Sequence, residues 1–518
     1  MSSDLILAID QGTTNTKALL FDPRAAAVVA EASVSVPVTF PQPGWVETDA
    51  VALWHTVEAA IEGCLVDVEP ARLSAVAVAN QRESVLLWER RSGLPLGPCV
   101  SWQCRRSSAL CEELAGRGAG DLVQARTGLA LDPMFSAGKA RWLLDHIEDG
   151  ASRARRGEVC VGTVDAWLAW NLSDGSVFAT DLTNASRTQL LDLDRLRWDE
   201  ELLELFGIPA AALPELRASN AVVGATQGGG ALPPGVPIAA LVGDSHAALF
   251  GHGAPPPGGA KATYGTGTSV MAPVAGPVRS DRLSTTVAWS LEDAERPGGV
   301  AVTYALEGNI TATGAALGWL ADLFALEGRE PELEALALSV EDAQGVVLVP
   351  AFTGLGAPHW DAGARGLISG LSRGSTRAHL ARAAFDAIAY QVRDVLDLLR
   401  ASLPSPLATL YVDGGAVQSD LLAQTQADVL DLPVMRSPSG SLAAFGAACL
   451  AGLSTGAFDS LEQVRQLPRD LEPFKPGPRV PAAQDGYRNW QVALRRAAGA
   501  TAQPPAAGAR LVAAGARA

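Results

Sequence analysis

The chain has 518 residues, 48% of them hydrophobic and 19% charged, the profile of a folded protein with room for two domains. A formal net charge of −16 excludes a nucleic-acid binder that works through a basic surface. Nucleotide binding stays open, because backbone N–H groups hold phosphates locally whatever the overall charge.

No apolar run reaches the length of a membrane span, and the first residues enter a strand pattern without a basic leader. No membrane insertion and a cytoplasmic location are therefore expected. The cysteines Cys64, Cys99, Cys104, Cys111, Cys160 and Cys449 form no CxxC pair and no metal-ligand spacing with histidine. They read as free thiols of a reducing compartment.

In chain order, residues 5–10 form a short apolar run, followed by a Gly/Thr turn and a second run at 17–21. Two strands joined by a tight turn are predicted, since apolar and β-branched residues resume at once. Further strands are predicted at 73–79, 84–88 and 238–242, and helices at 49–64, 136–147 and 199–206. The Pro/Gly-rich stretch 251–259 reads as a boundary. Beyond it, strands are predicted at 260–266, 345–350 and 409–412, and helices at 314–326, 377–399 and 420–429. Strands alternate with helices in both halves, so an α/β class is predicted twice over. The expected domains are 1–250, 251–480 and an extension at 481–518, whose Ala/Gly/Pro-rich end from Gln503 is expected to be disordered. Asp10-Gln-Gly-Thr-Thr and Asp413-Gly-Gly repeat one event, a strand ending in aspartate and glycine, and hint at duplicated units.

Three Gly/Thr turns follow predicted strands: Gln11 to Lys17, Tyr264 to Thr268, and Asp413 to Gly415. Glycine lets backbone amides reach phosphate oxygens, and threonine hydroxyls add donors. One such turn is ordinary; three at strand ends point to a phosphorylated ligand. Lys17 would neutralise a phosphoryl group, and Asp10 would hold Mg²⁺ through water. No GxxxxGK[ST] loop and no GxGxxG at a helix start is present, which removes the P-loop and Rossmann readings.

The phrase DQGTTNTKALLFD resembles the first phosphate motif of the FGGY carbohydrate kinases, glycerol kinases in particular. The similarity runs on through GWVETDA, NQRES, LDPMFSAGKARW, GTVDAWLAWNL, TDLTNASRT, GDSHAALFG, KATYGTGT, YALEGNI, VPAFTGLGAPHWD and VDGGAVQSDLLAQTQADVL. The resemblance implies two ribonuclease-H-like lobes of the actin and hexokinase type around a cleft. It implies a kinase that uses ATP and Mg²⁺ on a small polyol or sugar, glycerol first, with erythritol or xylulose as rivals, and association with further copies of the chain. A catalytically weak sugar sensor with this fold is the reading from another class; intact Asp10, Lys17 and Asp244 speak against it.

Carried over residue by residue, Thr13, Thr14 and Lys17 match the first phosphate loop, and Gly265 and Thr266 the second. Gly314 lies where nucleotide approaches the second lobe, and Gly414 and Gly415 match the adenosine motif. Ser419 stands where the family often has asparagine. Arg82, Glu83, Trp102 and Asp244 match acceptor positions, and Asp244 matches the catalytic base.

On its own residues, Asp244 follows a strand and a glycine and would project into a cleft, or cap the helix that Ala247 to Phe250 begins. Arg82 and Glu83 suit a clamp for adjacent hydroxyls, or a surface ion pair. Trp102 would lie against a polyol or in a core, and His246 reads as structural. Four positions depart from the glycerol kinase phrases: Cys104 for aspartate, Met134 for tyrosine, Ser245 for glutamine and Ser269 for phenylalanine. Met134 and Ser245 are expected to line an acceptor pocket roomier than that of glycerol kinases.

Overall fold

The computed structural model describes residues 4–498 apart from 256–257, 294–298, 327–328, 362 and 404, together with 512–513. The apolar run LILAIDQ becomes β1 (Leu5–Gln11), and the run after the Gly/Thr turn becomes β2 (Asn15–Asp22), paired antiparallel. Leu5 to Ile9 are fully buried, as a strand covered on both faces requires. β3 (Ala27–Ser35) extends the hairpin, while β4 (Leu73–Asn80) lies parallel to β1 on its other side. β6 (Leu232–Gly243) lies parallel to β4, with β5 (Gly224–Gly229) antiparallel at its edge.

The second half repeats this order. β7 (Gly259–Tyr264) makes a hairpin with β8 (Thr268–Val274), and β10 (Val300–Ile310) extends it, with β9 (Ser284–Glu292) beyond. On the other side β11 (Thr409–Asp413) and β12 (Val434–Arg436) run parallel, and β13 (Glu472–Phe474) closes the edge antiparallel. The strand orders β3-β2-β1-β4-β6-β5 and β10-β8-β7-β11-β12-β13 thus match one for one. This is the expected pair of ribonuclease-H-like α/β units.

Topology corrects the suggested repeat. The Asp10 hairpin turn corresponds to the Tyr264 turn, whereas Asp413 ends β11, the counterpart of β4. A strand-end glycine looks the same in sequence whether the chain turns back as a hairpin or crosses over, so local punctuation matched the wrong pair.

Helix α1 (Ala50–Leu65), whose start is capped by the Asp49 carboxylate on Ala52 N at 2.8 Å, packs on one face of the first sheet. The other face meets α2 (Asp244–Gly251) and α6 (Leu442–Thr455) in a cluster that also holds Met271, Trp289 and Ala305 of the second sheet. A helix late in the chain therefore packs against the first sheet, and one core spans both halves. The second sheet is covered by α4 (Arg377–Ser402) and α5 (Asp420–Leu430), with α3 (Gly314–Leu323) packed against α4 and starting at the Gly265 turn. α7 (Val480–Ala497) is tied to α4 by Tyr487 Oη and Trp490 Nε1, which donate to Asp394 at 2.6 and 2.9 Å. Most of the segment after Gln503 lies outside the described residues; Val512–Ala513 pairs with Val278–Arg279. Among the described residues, no helix is long and apolar enough to cross a membrane.

Candidate active site

Parallel strands place their C-terminal ends side by side, and ligands of such sheets bind there. β1, β4 and β6 end at Gln11, Asn80 and Gly243; β7 and β11 end at Tyr264 and Asp413. A cleft of about 650 Å³ opens between these ends. Its walls hold Thr13 and Thr14 from the first turn, Gly265 and Thr266 from the second, and Arg82, Glu83, Trp102, Met134, Asp244 and Ser245.

Asp244 opens α2 behind Gly243, which occupies the capping position, so the carboxylate sits in the first turn and faces the cleft. It touches Arg82 Nε at 3.3 Å and keeps a side-chain exposure of 34%. Enclosure raises its pKa, with Arg82 opposing.

Arg82 and Glu83 are buried, at 7% and 4% exposure, and neither forms the surface ion pair that was one expectation. Nor do they pair with each other. Arg82 makes a two-pronged contact with Glu307 of β10, at 2.9 and 2.8 Å. Glu83 accepts from Arg187 Nε at 2.6 Å, and Arg187 reaches Glu307 at 2.9 Å. Asp244, Arg82, Glu307, Arg187 and Glu83 form a chain of alternating charge that joins the two halves. Burial alone would raise the Glu307 carboxyl, but Arg187 and Arg82 hold it well below the usual range. Glu83 adopts φ +62°, a strained backbone for a side chain with a Cβ, held by the bond from Ser136 Oγ to its carbonyl at 3.0 Å.

Trp102 lies on the cleft wall rather than in a core, and its Nε1 donates to Thr13 Oγ1 at 2.9 Å, tying that wall to the first Gly/Thr turn. The Met134 carbonyl takes a bond from Lys139 Nζ, a fully buried ammonium whose pKa burial pushes down to about 8 despite Glu83. His246 is fully buried and bonded to Thr286 Oγ1 at 3.1 Å, off the cleft wall.

The remaining predicted residues lie around the cleft, not on its wall. Asp10 Oδ1 is buried without a hydrogen-bond partner. Burial and the neighbouring Asp244 charge raise its pKa to about 7, with Lys17 opposing. Lys17 Nζ reaches across to the carbonyl of Gly440, ahead of α6. Gly314 N donates to Gly265 O at 3.0 Å, and a Cβ on Gly314 would stand 2.7 Å from that oxygen. Gly414 has φ +101°, and a Cβ there would meet Tyr264 O at 2.4 Å, so the Asp413-Gly414-Gly415 turn presses on the second phosphate turn. Ser419 caps α5, accepting from Leu422 N at 3.1 Å and donating to Glu334 at 2.7 Å, so its hydroxyl is already committed.

Behind the wall, Lys261 is fully buried with Nζ 2.7 Å from Thr263 Oγ1, and burial lowers its pKa to about 8 against the pull of Asp413. On the acceptor side Asp165 accepts from Thr180 Oγ1 at 2.6 Å, and Asp181 from Thr183 Oγ1 at 2.8 Å. Gly243 N donates to Thr183 Oγ1 at 2.8 Å, so this lattice reaches the residue before Asp244. Glu307, Arg187 and Lys139 were not singled out from sequence. The available signal was a charge inside an apolar stretch, as in YALEGNI, because such charges are retained only when paired.

A second depression, of about 730 Å³, lies by Arg393 and Arg400 and contains none of these residues. Both guanidiniums there are bonded to Asp397 and to main-chain carbonyls.

The model of the FGGY family of carbohydrate kinases, N-terminal domain, matches residues 5–251, and that of its C-terminal domain matches 260–455. The chain is 46% identical over 500 residues to an apulose kinase of Pectobacterium atrosepticum, covering 96% of this chain and 99% of that one. It is 47% identical over 500 residues to a glycerol kinase of Thermus brockianus, covering 95% and 98%. Among solved structures, glycerol kinase of Plasmodium falciparum with ADP superposes with a TM-score of 0.87 at 29% identity, covering 96% and 98%. A xylulose kinase of Rhodospirillum rubrum superposes at 0.79 and 26% identity, covering 95% and 98%. The chain belongs to the FGGY family of carbohydrate kinases and is an ATP-dependent phosphotransferase that acts on a sugar or polyol.

Proposed function

We propose that the chain transfers the γ-phosphoryl group of ATP to a primary hydroxyl of a four- or five-carbon polyol or ketose, with Asp244 as general base. The observation that carries this reading is the Asp244 carboxylate, held by Arg82 in a cleft whose wall also holds the Gly265–Thr266 turn. As the acceptor oxygen bonds to γ-phosphorus, the bond to the β,γ-bridging oxygen breaks and the hydroxyl proton passes to Asp244. Thr13, Thr14, Gly265 and Thr266 bind phosphate oxygens, Lys17 adds positive charge, and Gly314, Gly414 and Gly415 shape the nucleotide side. Ser419 supports that side through the α5 cap. Arg82, Glu83 and Trp102 orient the reacting end of the acceptor.

Asp10 suits a magnesium site, reached through water. Its buried, unpartnered oxygen beside a second carboxylate is a place that a cation relieves. Among the described residues no group of three or more His, Cys, Asp and Glu could hold a metal, so the ion would arrive with the nucleotide phosphates. Bound there, it would neutralise charge on the transferring group.

The longer acceptor is supported by Met134, Ser245 and Ser269 on the wall, where glycerol kinases carry tyrosine, glutamine and phenylalanine. It is supported too by a relative named an apulose kinase. Glycerol is the second reading, favoured by the several glycerol kinases at 41–47% identity. The test of the chemistry is ADP release: acceptor-dependent in the wild type, and reduced by about 10²–10⁴ in kcat in Asp244→Asn, with ADP affinity kept. Near-normal turnover by that variant overturns the assignment.

A further inference from the structure

Asn309 stands two residues after Glu307 on β10, directly across the ladder from Ser269, and both Asn309 and Ser269 line the cleft. Its backbone is pinned, because the Asn309 carbonyl accepts from Ala357 N at 3.0 Å. Its side-chain Nδ2 is buried and has no hydrogen-bond partner. A buried amide donor without a partner is uncommon, and beside a cavity the natural partner is a ligand oxygen.

Two neighbouring polar groups, Ser269 and Glu307, are already committed. Ser269 Oγ donates to Glu307 at 2.8 Å, and both Glu307 oxygens are held by Arg82. The phosphate turn begins one pair further along the ladder, at Thr268 opposite Ile310. Asn309 thus sits on the Glu307 side of that turn, next to the charge chain that faces the acceptor.

We propose that Asn309 is a specificity-determining residue. Its amide donates to an acceptor oxygen, hydroxyl or carbonyl, that lies beyond a three-carbon unit, and so selects four- and five-carbon polyols or ketoses over glycerol. This rests on the acceptor reading above. The groups named there hold the reacting end, which every acceptor shares. Asn309 Nδ2 is the one buried side-chain polar atom on the described wall without a hydrogen-bond partner in the free protein. A site built to bond a substrate oxygen rejects the analogue lacking it far more strongly than an apolar pocket rejects a missing carbon.

The experiment compares wild type, Asn309→Ala and the similarly shaped Asn309→Leu. Each is assayed for kcat/KM with glycerol and with whichever of erythritol, ribitol, xylitol and xylulose the wild type uses best. The ratio of the two acceptors on one preparation cancels any inactive fraction, so a partly folded variant still reports. The ratio should fall by about tenfold or more in both variants, with the KM for ATP within about twofold of wild type. An unchanged ratio, or an effect confined to the KM for ATP, overturns the role of Asn309. A wild type that prefers glycerol over every longer acceptor overturns the acceptor reading and this proposal with it. A wild type that prefers a longer acceptor, with variants unchanged in ratio, overturns this proposal alone.

Discussion

The two ends of the cleft are built from different materials. The end we propose to bind phosphate is walled by backbone and hydroxyls: the Thr13–Thr14 and Gly265–Thr266 turns, with Gly314 and Gly414 pressed so close behind that no Cβ fits. The end we propose to bind the acceptor holds paired charges, Asp244–Arg82–Glu307–Arg187–Glu83, that cross from one half of the chain to the other. Phosphate presents the same oxygens whatever it is attached to, so amides on a tight turn suffice. An acceptor with several similar hydroxyls has to be oriented, and buried charges with fixed partners do that with less give than exposed ones.

The largest expected difference between the ends follows from Glu307→Gln. It leaves Arg82 and Arg187 short of a buried carboxylate, and breaking such a set costs about 3–5 kcal/mol. Denaturant unfolding should show a loss of that order, and kcat/KM for the acceptor should fall, while ADP affinity changes by less than about threefold. Normal stability in this variant would mean that the charge chain does not hold the acceptor end.

Asp165 gives a prediction in pH. Burial and the nearby Asp181 raise its pKa to about 7, against a reference near 4 in an unfolded chain. Between those values the folded state holds a proton that the unfolded state has lost. Stability therefore falls as pH rises through that window, by up to about 1.4 kcal/mol per pH unit. Asp165→Asn should flatten the slope of urea midpoints between about pH 4.5 and 7; an unaltered slope would place the titration elsewhere.

At the phosphate end, Gly314→Ala forces a Cβ to within 2.7 Å of Gly265 O and must shift the second turn. The KM for ATP should rise about tenfold, a difference of about 1.4 kcal/mol, with the acceptor KM unmoved. Equal rises in both would show that the ends are not separable. Trp102→Phe, which removes the bond to Thr13 that links the two ends, should be the mildest. One neutral hydrogen bond is worth about 0.5–1.5 kcal/mol, so kcat/KM should fall by about two- to tenfold. A larger loss would make the indole N–H part of the catalytic arrangement.

The same contrast explains what the sequence disclosed. The three Gly/Thr turns were legible as turns because each lies within one hairpin or strand end, where glycine and threonine between apolar runs carry the whole signal. Asp244 was legible for the same reason, at the junction of Gly243 and α2. The partners at the acceptor end were not, since Arg82 finds Glu307 225 residues away and Arg187 finds Glu83 at a separation of 104. Local pattern placed Arg82 and Glu83 together because they are neighbours in the chain, yet each turns to a different partner. Ser419 shows a role that its phrase alone does not disclose: its hydroxyl caps the helix beginning at Asp420.

The most direct test is the wild-type kcat/KM for glycerol, erythritol, ribitol, xylitol and xylulose, each read by coupled ADP release. A four- or five-carbon acceptor should lead glycerol. If glycerol leads every longer acceptor, the acceptor reading is contradicted; a lead of about tenfold would be about 1.4 kcal/mol in transition-state binding.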